Sequence, residues 1–447
     1  MFVQLTESFA TLNVLSTDPT NLELYTIQLS LDEYREIASN NPTMLQFTTE
    51  DGKFWSFDKT MHTGESLLRE CEGLIQYALS RQKYSPVFVI RKLRRLSGVL
   101  QLLNLQEASV AAGECAVDLA REQAKKYIDL REELVITLTT VAHLREADFD
   151  KSKVLYQDAI NIRKSLSLED PSLEVQTVLG DLLFEAGETA ITNYYYHDGR
   201  IWFEEAVAIR RRIFKQVPTY ENGYSLVKAL NWNAVCISRV SPADPLVAQT
   251  FQRAITTSRL LVAAFADKDH NHLIRLLHNL GETYIKSGRV DLAIPPLEEA
   301  LPLQRIMLRQ SNTSLSWNVL ALILEGLAKA YAMTGNAAKA LPLAEECLGV
   351  RRNLRRSHPD IQRCHMARVL GVLAEALRGM GRDDEAIETL AEAIFIARQE
   401  NVLRPGAPIR LVLMQLADDL GSLLASRSAP LEHWTLVFET MLLWEAP

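Results

Sequence analysis

The sequence predicts an all-α protein, a right-handed α-solenoid of antiparallel helical hairpins with a small N-terminal α/β cap. From about Gly64 onward, apolar residues recur at the i, i+3, i+4 spacing of amphipathic helices. Small residues recur at a nearly constant distance through the same region. The first 63 residues lack this spacing, and Asp51-Gly52 lies there between two runs rich in β-formers. We therefore divide the chain into a cap or extension, residues 1–63, and a helical repeat domain, residues 64–447.

The repeat is defined by two small positions in each unit. The last small residue of each unit gives successive separations of 43, 47, 48, 46, 47 and 46. These residues are Ala116, Ala159, Ala206, Ala254, Ala300, Cys347 and Ala393. An earlier small residue keeps step at Gly180, Ala234, Gly281, Ala328 and Ala374. Glycines between the two small positions, which we expect to end the first helix of each unit, are Gly187, Gly288, Gly335 and Gly381. One hairpin cannot bury its apolar face alone, so the units are predicted to stack on one another.

Three segments carry a resemblance to a known family. LGETYIKSGRVDLAIPPLEEAL, LAKAYAMTGNAAKALPLAEECL and LAEALRGMGRDDEAIETLAEAI resemble tetratricopeptide repeats in the order of their small, bulky and glycine positions. The period near 46 is longer than the usual repeat of about 34 residues and is similar to that of kinesin light chains, as is the linker Ser357-His358-Pro359-Asp360. The resemblance covers roughly residues 85–400. It implies a superhelix whose first helices line a concave groove that binds a peptide or a partner helix.

Several segments depart from the repeat. In residues 1–63 we expect a helix near residues 2–15, an extended stretch at 22–31 and a β-hairpin around Asp51-Gly52. This segment covers the first repeat or forms a separate module. The stretches 193–200 and 241–245 are either loops that face a ligand or variations in length on the solvent side.

The C-terminal end is predicted to be an eighth unit. Its second helix, near residues 431–444, carries apolar side chains on more than one side. A terminal repeat usually has a polar outer face. We therefore expect that this helix folds back onto the stack, pairs with a second copy of the chain, or belongs to a longer protein.

Composition narrows the classes of partner. A net charge of -8 and a pI near 5.7 disfavour binding to the phosphate backbone of nucleic acids. No apolar run approaches the length of a membrane span. The five cysteines are widely spaced and include no Cys-x-x-Cys pair. The prediction is a cytoplasmic protein with reduced cysteines and with neither a membrane nor a nucleic-acid partner.

The sequence contains no recognisable catalytic motif. Phosphate-binding loops, nucleophile elbows and zinc-protease motifs are all missing. The nearest approach to a metal site is the run of Asp267, Asp269 and His270 before His272 and His278, whose two histidines are six residues apart and cannot share an ion on one helix. Cys364-His365 are adjacent and do not face each other, so they are not a catalytic pair. We predict no enzyme activity, no cofactor and no metal.

The resemblance directs attention to charged and amide side chains of the first helices. The predicted groove residues are Arg91, Arg94, Lys228, Asn231, Arg239, Arg275, His278, Asn279, Glu282, Lys329, Arg368, Glu375 and Arg378. Within this set, Lys228, Asn231, Arg275 and Asn279 place cations and amides on consecutive units, where they are predicted to hold a peptide carboxylate and backbone. The predicted role is a protein-interaction scaffold. Two alternatives stay open: the sensor arm of a larger signalling ATPase, and an enzyme with an unrecognised pocket.

Overall fold

A computed structural model describes most of the chain after residue 85 and five short strands before it. The described residues are 2–5, 9–15, 24–30, 44–48, 54–58, 86–102, 106–265, 271–357, 359–403, 407–427, 429 and 434–445. The chain divides into two compact units, residues 1–209 and residues 210–447.

The described part of the first 63 residues consists of strands. Strands β1 (Phe2–Leu5), β2 (Phe9–Leu15) and β3 (Leu24–Ser30) form an antiparallel sheet in that order. Strands β4 (Met44–Thr48) and β5 (Phe54–Asp58) form a separate antiparallel pair in which Thr48 lies opposite Phe54. The helix predicted at residues 2–15 is therefore wrong, because two antiparallel strands occupy it. The described residues contain no helix before Pro86, so the predicted α/β cap is not supported. The predicted boundary at residues 63 and 64 lies outside the described residues.

Sixteen α-helices follow in the described part of the chain. Those that begin in the first unit are α1 (Pro86–Leu102), α2 (Gln106–Lys126), α3 (Arg131–Leu144), α4 (Phe149–Glu169), α5 (Leu173–Thr192) and α6 (Tyr196–Gln216). Those of the second unit are α7 (Tyr220–Val240), α8 (Pro245–Ala264), α9 (Asn271–Lys286), α10 (Ile294–Gln310), α11 (Ser314–Met333), α12 (Ala337–Ser357), α13 (Pro359–Gly379), α14 (Asp383–Leu403), α15 (Ala407–Ser426) and α16 (Thr435–Glu445). They are the helices of eight consecutive hairpins. Odd-numbered helices are called first helices below, and even-numbered helices are called second helices.

Local chemistry sets many helix starts. Asp148, Ser172, Thr219, Asp244 and Thr313 each occupy an N-cap, where the side-chain oxygen accepts a hydrogen bond from a backbone amide of the first turn. Such caps satisfy amides that have no partner within the helix. The stretch 241–245 is thus the turn and cap that begin α8.

The small positions allow the two helices of a hairpin to approach closely. Ala159, Ala206, Ala254, Ala300, Cys347 and Ala393 are all fully buried. At Gly281, an added Cβ would lie 2.5 Å from Cγ of Leu297, so α9 and α10 meet where no larger side chain fits. The repeat spacing therefore predicts correctly which residues lie between helices.

The inter-helix glycines have two different roles. Gly288, Gly335 and Gly381 have φ near +75° and lie between the helices of their hairpins, as predicted. Gly187 does not, because it lies inside α5, where an added Cβ would be 2.6 Å from the ring of Phe203. The turn after α5 instead has Tyr194 at φ 65°. The extra residues of this repeat thus lengthen α5 and begin α6, and only residues 193–195 separate the two helices.

A buried polar position in the second helices is a feature that the sequence analysis missed. Four residues after the last small residue, five successive repeats place a polar side chain that is less than a tenth exposed. These residues are Arg163, Arg210, Ser258, Gln304 and Arg351. Gln304 Nε2 donates to Ser316 O at 2.8 Å, and Arg351 Nη1 donates to Asn318 Oδ1 at 2.6 Å. The position therefore ties second helices to neighbouring first helices.

The last hairpin exists as predicted. Helices α15 and α16 meet where Gly421 would place a Cβ 3.7 Å from both Trp434 and Val437. Val437 is buried, whereas half of the Phe438 side chain is exposed. Self-association through this helix stays a prediction.

Candidate functional site

The first helices of the second unit form a groove with a volume of about 950 Å³. Helices α7, α9, α11, α13 and α15 all contribute side chains to it. Its polar lining consists of Arg239, His278, Glu282, Lys286, Glu325, Lys329, Arg368, Glu375, Arg378, Gln415 and Asp419. Apolar side chains such as Leu322, Val372 and Leu411 lie between these groups. The groove thus combines charged groups with apolar contact surface, as peptide-binding grooves do.

Seven of the thirteen predicted residues lie together in this groove. They are Arg239, His278, Glu282, Lys329, Arg368, Glu375 and Arg378. The sequence spacing placed them on first helices, and the structure brings them to one surface. Their charges are distributed in three groups along the groove, with different degrees of internal pairing.

The first group is tied to a buried carboxylate. Glu325 is buried, and it accepts a hydrogen bond from Arg368 of the next first helix. Arg351, which is wholly buried, brings Nη2 to 3.6 Å from Glu325 Oε2. A buried carboxylate is stable only when it is paired, so Arg368 is committed in part to the fold. The pKa of His365, nearby on α13, falls to about 4 because of burial and of the positive charge of Arg351, so this imidazole is neutral at pH 7.

The second group is an ion pair on α9 beside a neutral histidine. Lys286 Nζ lies 2.6 Å from Glu282 Oε1, one helical turn away. Burial by itself would raise the pKa of Glu282, but the charge and hydrogen bond of Lys286, together with His278 and Arg239, outweigh burial and lower it. Burial also lowers the pKa of His278. This part of the groove therefore presents a satisfied ion pair and an uncharged imidazole.

The third group holds four charges that are close but not in contact. Glu375 and Arg378 lie on α13, Lys329 on α11 and Asp419 on α15. Burial between the groove walls raises the pKa of Glu375 and the pKa of Asp419. The negative charge of Asp419 raises the pKa of Glu375 further. Lys329 and Arg378 act against both shifts, which shows that all four groups share one electrostatic environment. Among the described residues, no ion pair within 4.0 Å involves Lys329, Arg378 or Glu375.

The remaining predicted residues lie elsewhere. Asn279 Nδ2 donates to Asn231 Oδ1 at 2.9 Å, so this amide pair joins α9 to α7. Neither asparagine lines the groove, and neither do Lys228 and Arg275. The predicted clamp of Lys228, Asn231, Arg275 and Asn279 is therefore not assembled at the groove surface.

Arg91 and Arg94 belong to the first unit and contact a carboxylate there. Arg91 Nε lies 2.8 Å and Arg94 Nη1 lies 2.6 Å from the carboxylate oxygens of Glu133, which is buried. The two arginines thus join α1 to α3. Pairing of this kind depends on contacts between repeats, which the sequence spacing does not reveal.

The first unit also contains a polar cluster that the sequence analysis missed. Tyr156 is fully buried, and its hydroxyl lies 3.2 Å from Thr189 Oγ1 and 3.3 Å from Glu185 Oε1. Glu185 in turn lies 3.2 Å from His143 Nδ1. Burial raises the pKa of Tyr156 above its ordinary range, so the phenol stays protonated and acts as a hydrogen-bonding group.

Of the candidates for metal and thiol chemistry, His272 is buried, Cys364 is half-buried and His278 lines the groove. The described residues contain no group of three or more His, Cys, Asp or Glu side chains that could hold a metal ion. Asp267, Asp269 and His270 lie outside them, while His272 is buried edge-on against Tyr220 and Tyr224. Burial raises the pKa of the Cys364 thiol. Within the described residues, no helix is long and apolar enough to cross a membrane.

Comparison with known proteins agrees with this architecture. Two tetratricopeptide repeat family models match residues 274–305 and residues 320–360, which span the hairpins α9–α10 and α11–α12. A search of the curated proteins found no significant match.

Solved structures also resemble the chain. BtubC (BKLC) from P. vanneervenii is 19% identical over 56% of this chain and 92% of its own, with a TM-score of 0.39. A putative kinesin light chain with nearly identical repeats from Podosopora anserina is 21% identical over 50% of this chain and 96% of its own, with a TM-score of 0.35. Aspartyl phosphate phosphatase F from Bacillus subtilis is 13% identical over 86% of this chain and 91% of its own, with a TM-score of 0.47. At such low scores, these neighbours say nothing about what this chain binds.

The assignment rests on the two matched segments and on the hairpins that contain them. Each match covers a pair of helices, and the small and glycine positions within it have the packing and turn roles described above. The chain therefore contains tetratricopeptide repeats in residues 274–305 and 320–360.

Proposed function

We propose that the groove on the first helices of residues 210–447 binds a peptide segment of another protein, in an extended or helical form. The observation that supports this most directly is the third charged group, in which Lys329 and Arg378 lie near Glu375 and Asp419 without contact. Charges that stabilise only the fold are usually paired, as Arg368 and Glu325 are. Three charges without an ion pair to a described residue, Lys329, Arg378 and Glu375, lie around one space with Asp419, which accepts a hydrogen bond from Gln415. They leave room for the charged and amide groups of a ligand.

The chemistry of the group defines the ligand. Lys329 and Arg378 are donors suited to a carboxylate of the peptide. Glu375 and Asp419 are acceptors suited to its backbone amides or to a basic side chain. Leu322, Met333 and Leu411 of the same groove provide apolar contact for the intervening side chains. The expected ligand is thus a segment in which acidic and apolar residues occur together, and the groove takes part in no covalent step.

The test is selection of ligands from a library of random peptides displayed on phage, followed by fluorescence anisotropy with the selected peptides. The double variant Lys329→Glu/Arg378→Glu is expected to weaken binding at least about tenfold, a loss of about 1.4 kcal/mol. The matched control is Lys125→Glu/Arg309→Glu, which changes the net charge equally at two exposed cations outside the groove lining. This control is expected to retain affinity. Equal losses in both double variants would assign binding to the overall charge and contradict the groove site. Circular dichroism confirms that helicity is unchanged.

A further inference from the structure

A row of ion pairs connects successive second helices at fixed repeat positions. A cation lies five residues after the last small residue of each repeat from Ala116 to Ala393, and an acid lies one residue before the small residue except at Cys115 and Arg253. We call the row the ion-pair ladder. Its pairs are Arg121–Asp158, Lys164–Glu205, Arg259–Glu299, Arg305–Glu346, Arg352–Glu392 and Arg398–Glu439. Five of the six have N–O distances between 2.6 and 2.8 Å, and the Arg352–Glu392 distance is 3.9 Å.

One position of the ion-pair ladder lacks the acidic residue. Between Glu205 and Arg259, the cation is Arg211 of α6, as the repeat requires. The residue before Ala254 on α8 is Arg253, whereas the other second helices from α4 to α16 have Asp or Glu at this position. Both arginines are exposed, and among the described residues neither forms an ion pair within 4.0 Å. A carboxylate is therefore replaced by a second cation at this single position.

The break coincides with a pocket of about 930 Å³ that lies within residues 210–447. Arg211, Lys215 and Arg253 contribute three cations to its lining, which contains no acidic residue. Phe214, which is half-buried, and Pro218, which is exposed, provide an apolar surface between them. Like charges near one another repel, so this arrangement is unfavourable unless an anion joins it.

We propose that this pocket binds an acidic segment of a partner protein, whose Asp or Glu side chain takes the place of the missing ladder carboxylate. At each of the other six positions of the ladder, the cation is paired with a carboxylate from a neighbouring helix. A carboxylate is therefore the partner expected for the cation at this position. The apolar surface requires a Leu-like side chain next to the acid. Free phosphate would satisfy the cations but leave the apolar surface of Phe214 and Pro218 uncovered, and the net charge of -8 opposes a nucleic acid. This pocket is separate from the groove, since the two share no lining residue.

The decisive variant is Arg253→Glu, which restores the repeat rule. The new carboxylate is expected to pair with Arg211 and thereby to occupy the site from within the chain. The probe is a fluorescein-labelled peptide of alternating Glu and Leu, and its matched control is the same peptide with Gln in place of Glu. Binding is measured by anisotropy in the Lys329→Glu/Arg378→Glu background, so that the groove does not contribute. Failure of the groove proposal therefore leaves this result unaffected.

The expected result is that Arg253→Glu weakens binding of the Glu peptide at least tenfold. Arg309→Glu, which changes the net charge equally at an exposed cation outside the pocket, is expected to change it less than twofold. The Tm of Arg253→Glu should not fall, because the new ion pair removes a repulsion. Equal affinity for the Gln peptide, equal loss in the two variants, or full competition by inorganic phosphate at concentrations comparable to the peptide would each overturn the proposal.

Discussion

The first and second helices of residues 210–447 distribute charge in different ways. On the second helices, cations and acids occupy the same repeat positions and meet as pairs, such as Arg305 with Glu346. On the first helices, charge changes from repeat to repeat: Lys329 stands 47 residues after Glu282. Charges that repeat hold successive hairpins in register, whereas charges that depart from the repeat are available for a ligand. Both proposed sites follow from such departures.

The largest expected effect comes from the buried cation of the second helices. Arg351 is wholly buried, with Nη1 donating to Asn318 and Nη2 close to Glu325. Arg351→Ala removes one partner of a buried charge network, which is expected to lower the free energy of unfolding by about 3 kcal/mol or more. The measurement is urea denaturation followed by circular dichroism. Arg352→Ala, at the neighbouring exposed ladder position, is the control, and we expect a loss of at most about 1 kcal/mol. Equal losses of unfolding free energy in the two variants would show that the contribution of these arginines to stability does not depend on their burial.

The same contrast explains how much the sequence could predict. Repeated small residues must lie between helices, so the hairpins could be predicted from spacing. The resemblance to tetratricopeptide repeats directed attention to the first helices, which contribute seven of the predicted residues to the groove lining. The prediction for Gly187 is wrong because a glycine can be required either by a positive φ in a turn or by close contact between two helices. Only the position of the Phe203 ring shows that the second reason applies to Gly187. Asn231 and Asn279 were predicted to face a ligand, but they bond each other across two repeats. Contacts between repeats depend on how the helices are rotated, which the repeat period does not specify.

A substitution on the first helices is expected to increase stability, by less than the loss expected at Arg351. Burial between the groove walls and the proximity of Asp419 raise the pKa of Glu375 in the folded state. The folded protein then binds more protons than the unfolded chain between the ordinary and the raised pKa, so stability falls as the pH rises through that window. Glu375→Gln removes this cost at pH 7 and changes nothing at a pH below both values.

The measurement is the Tm of wild type and Glu375→Gln at pH 7 and at pH 3. We expect a gain at pH 7 that is smaller than the loss at Arg351, because the Glu375 side chain reaches solvent. Glu388→Gln, an exposed acid on α14, serves as the control and should give no comparable gain. A loss of stability at pH 7 in Glu375→Gln would mean that this carboxylate holds the fold together, and the distinction between first and second helices would fail there.

The smallest effect is expected at a single pair of the ladder. Arg305 Nη2 lies 2.7 Å from Glu346 Oε2, with 48% and 38% of the two side chains exposed. Solvent and salt screen such a pair, so Arg305→Ala is expected to cost about 0.2–1 kcal/mol. A double-mutant cycle with Glu346→Ala isolates the coupling, and it should shrink at high salt. A coupling above about 2 kcal/mol that persisted at high salt would exceed the range of exposed pairs. In that case the missing carboxylate at Arg253 would be a serious local defect, and tolerance of that defect would itself require a partner that supplies the acid.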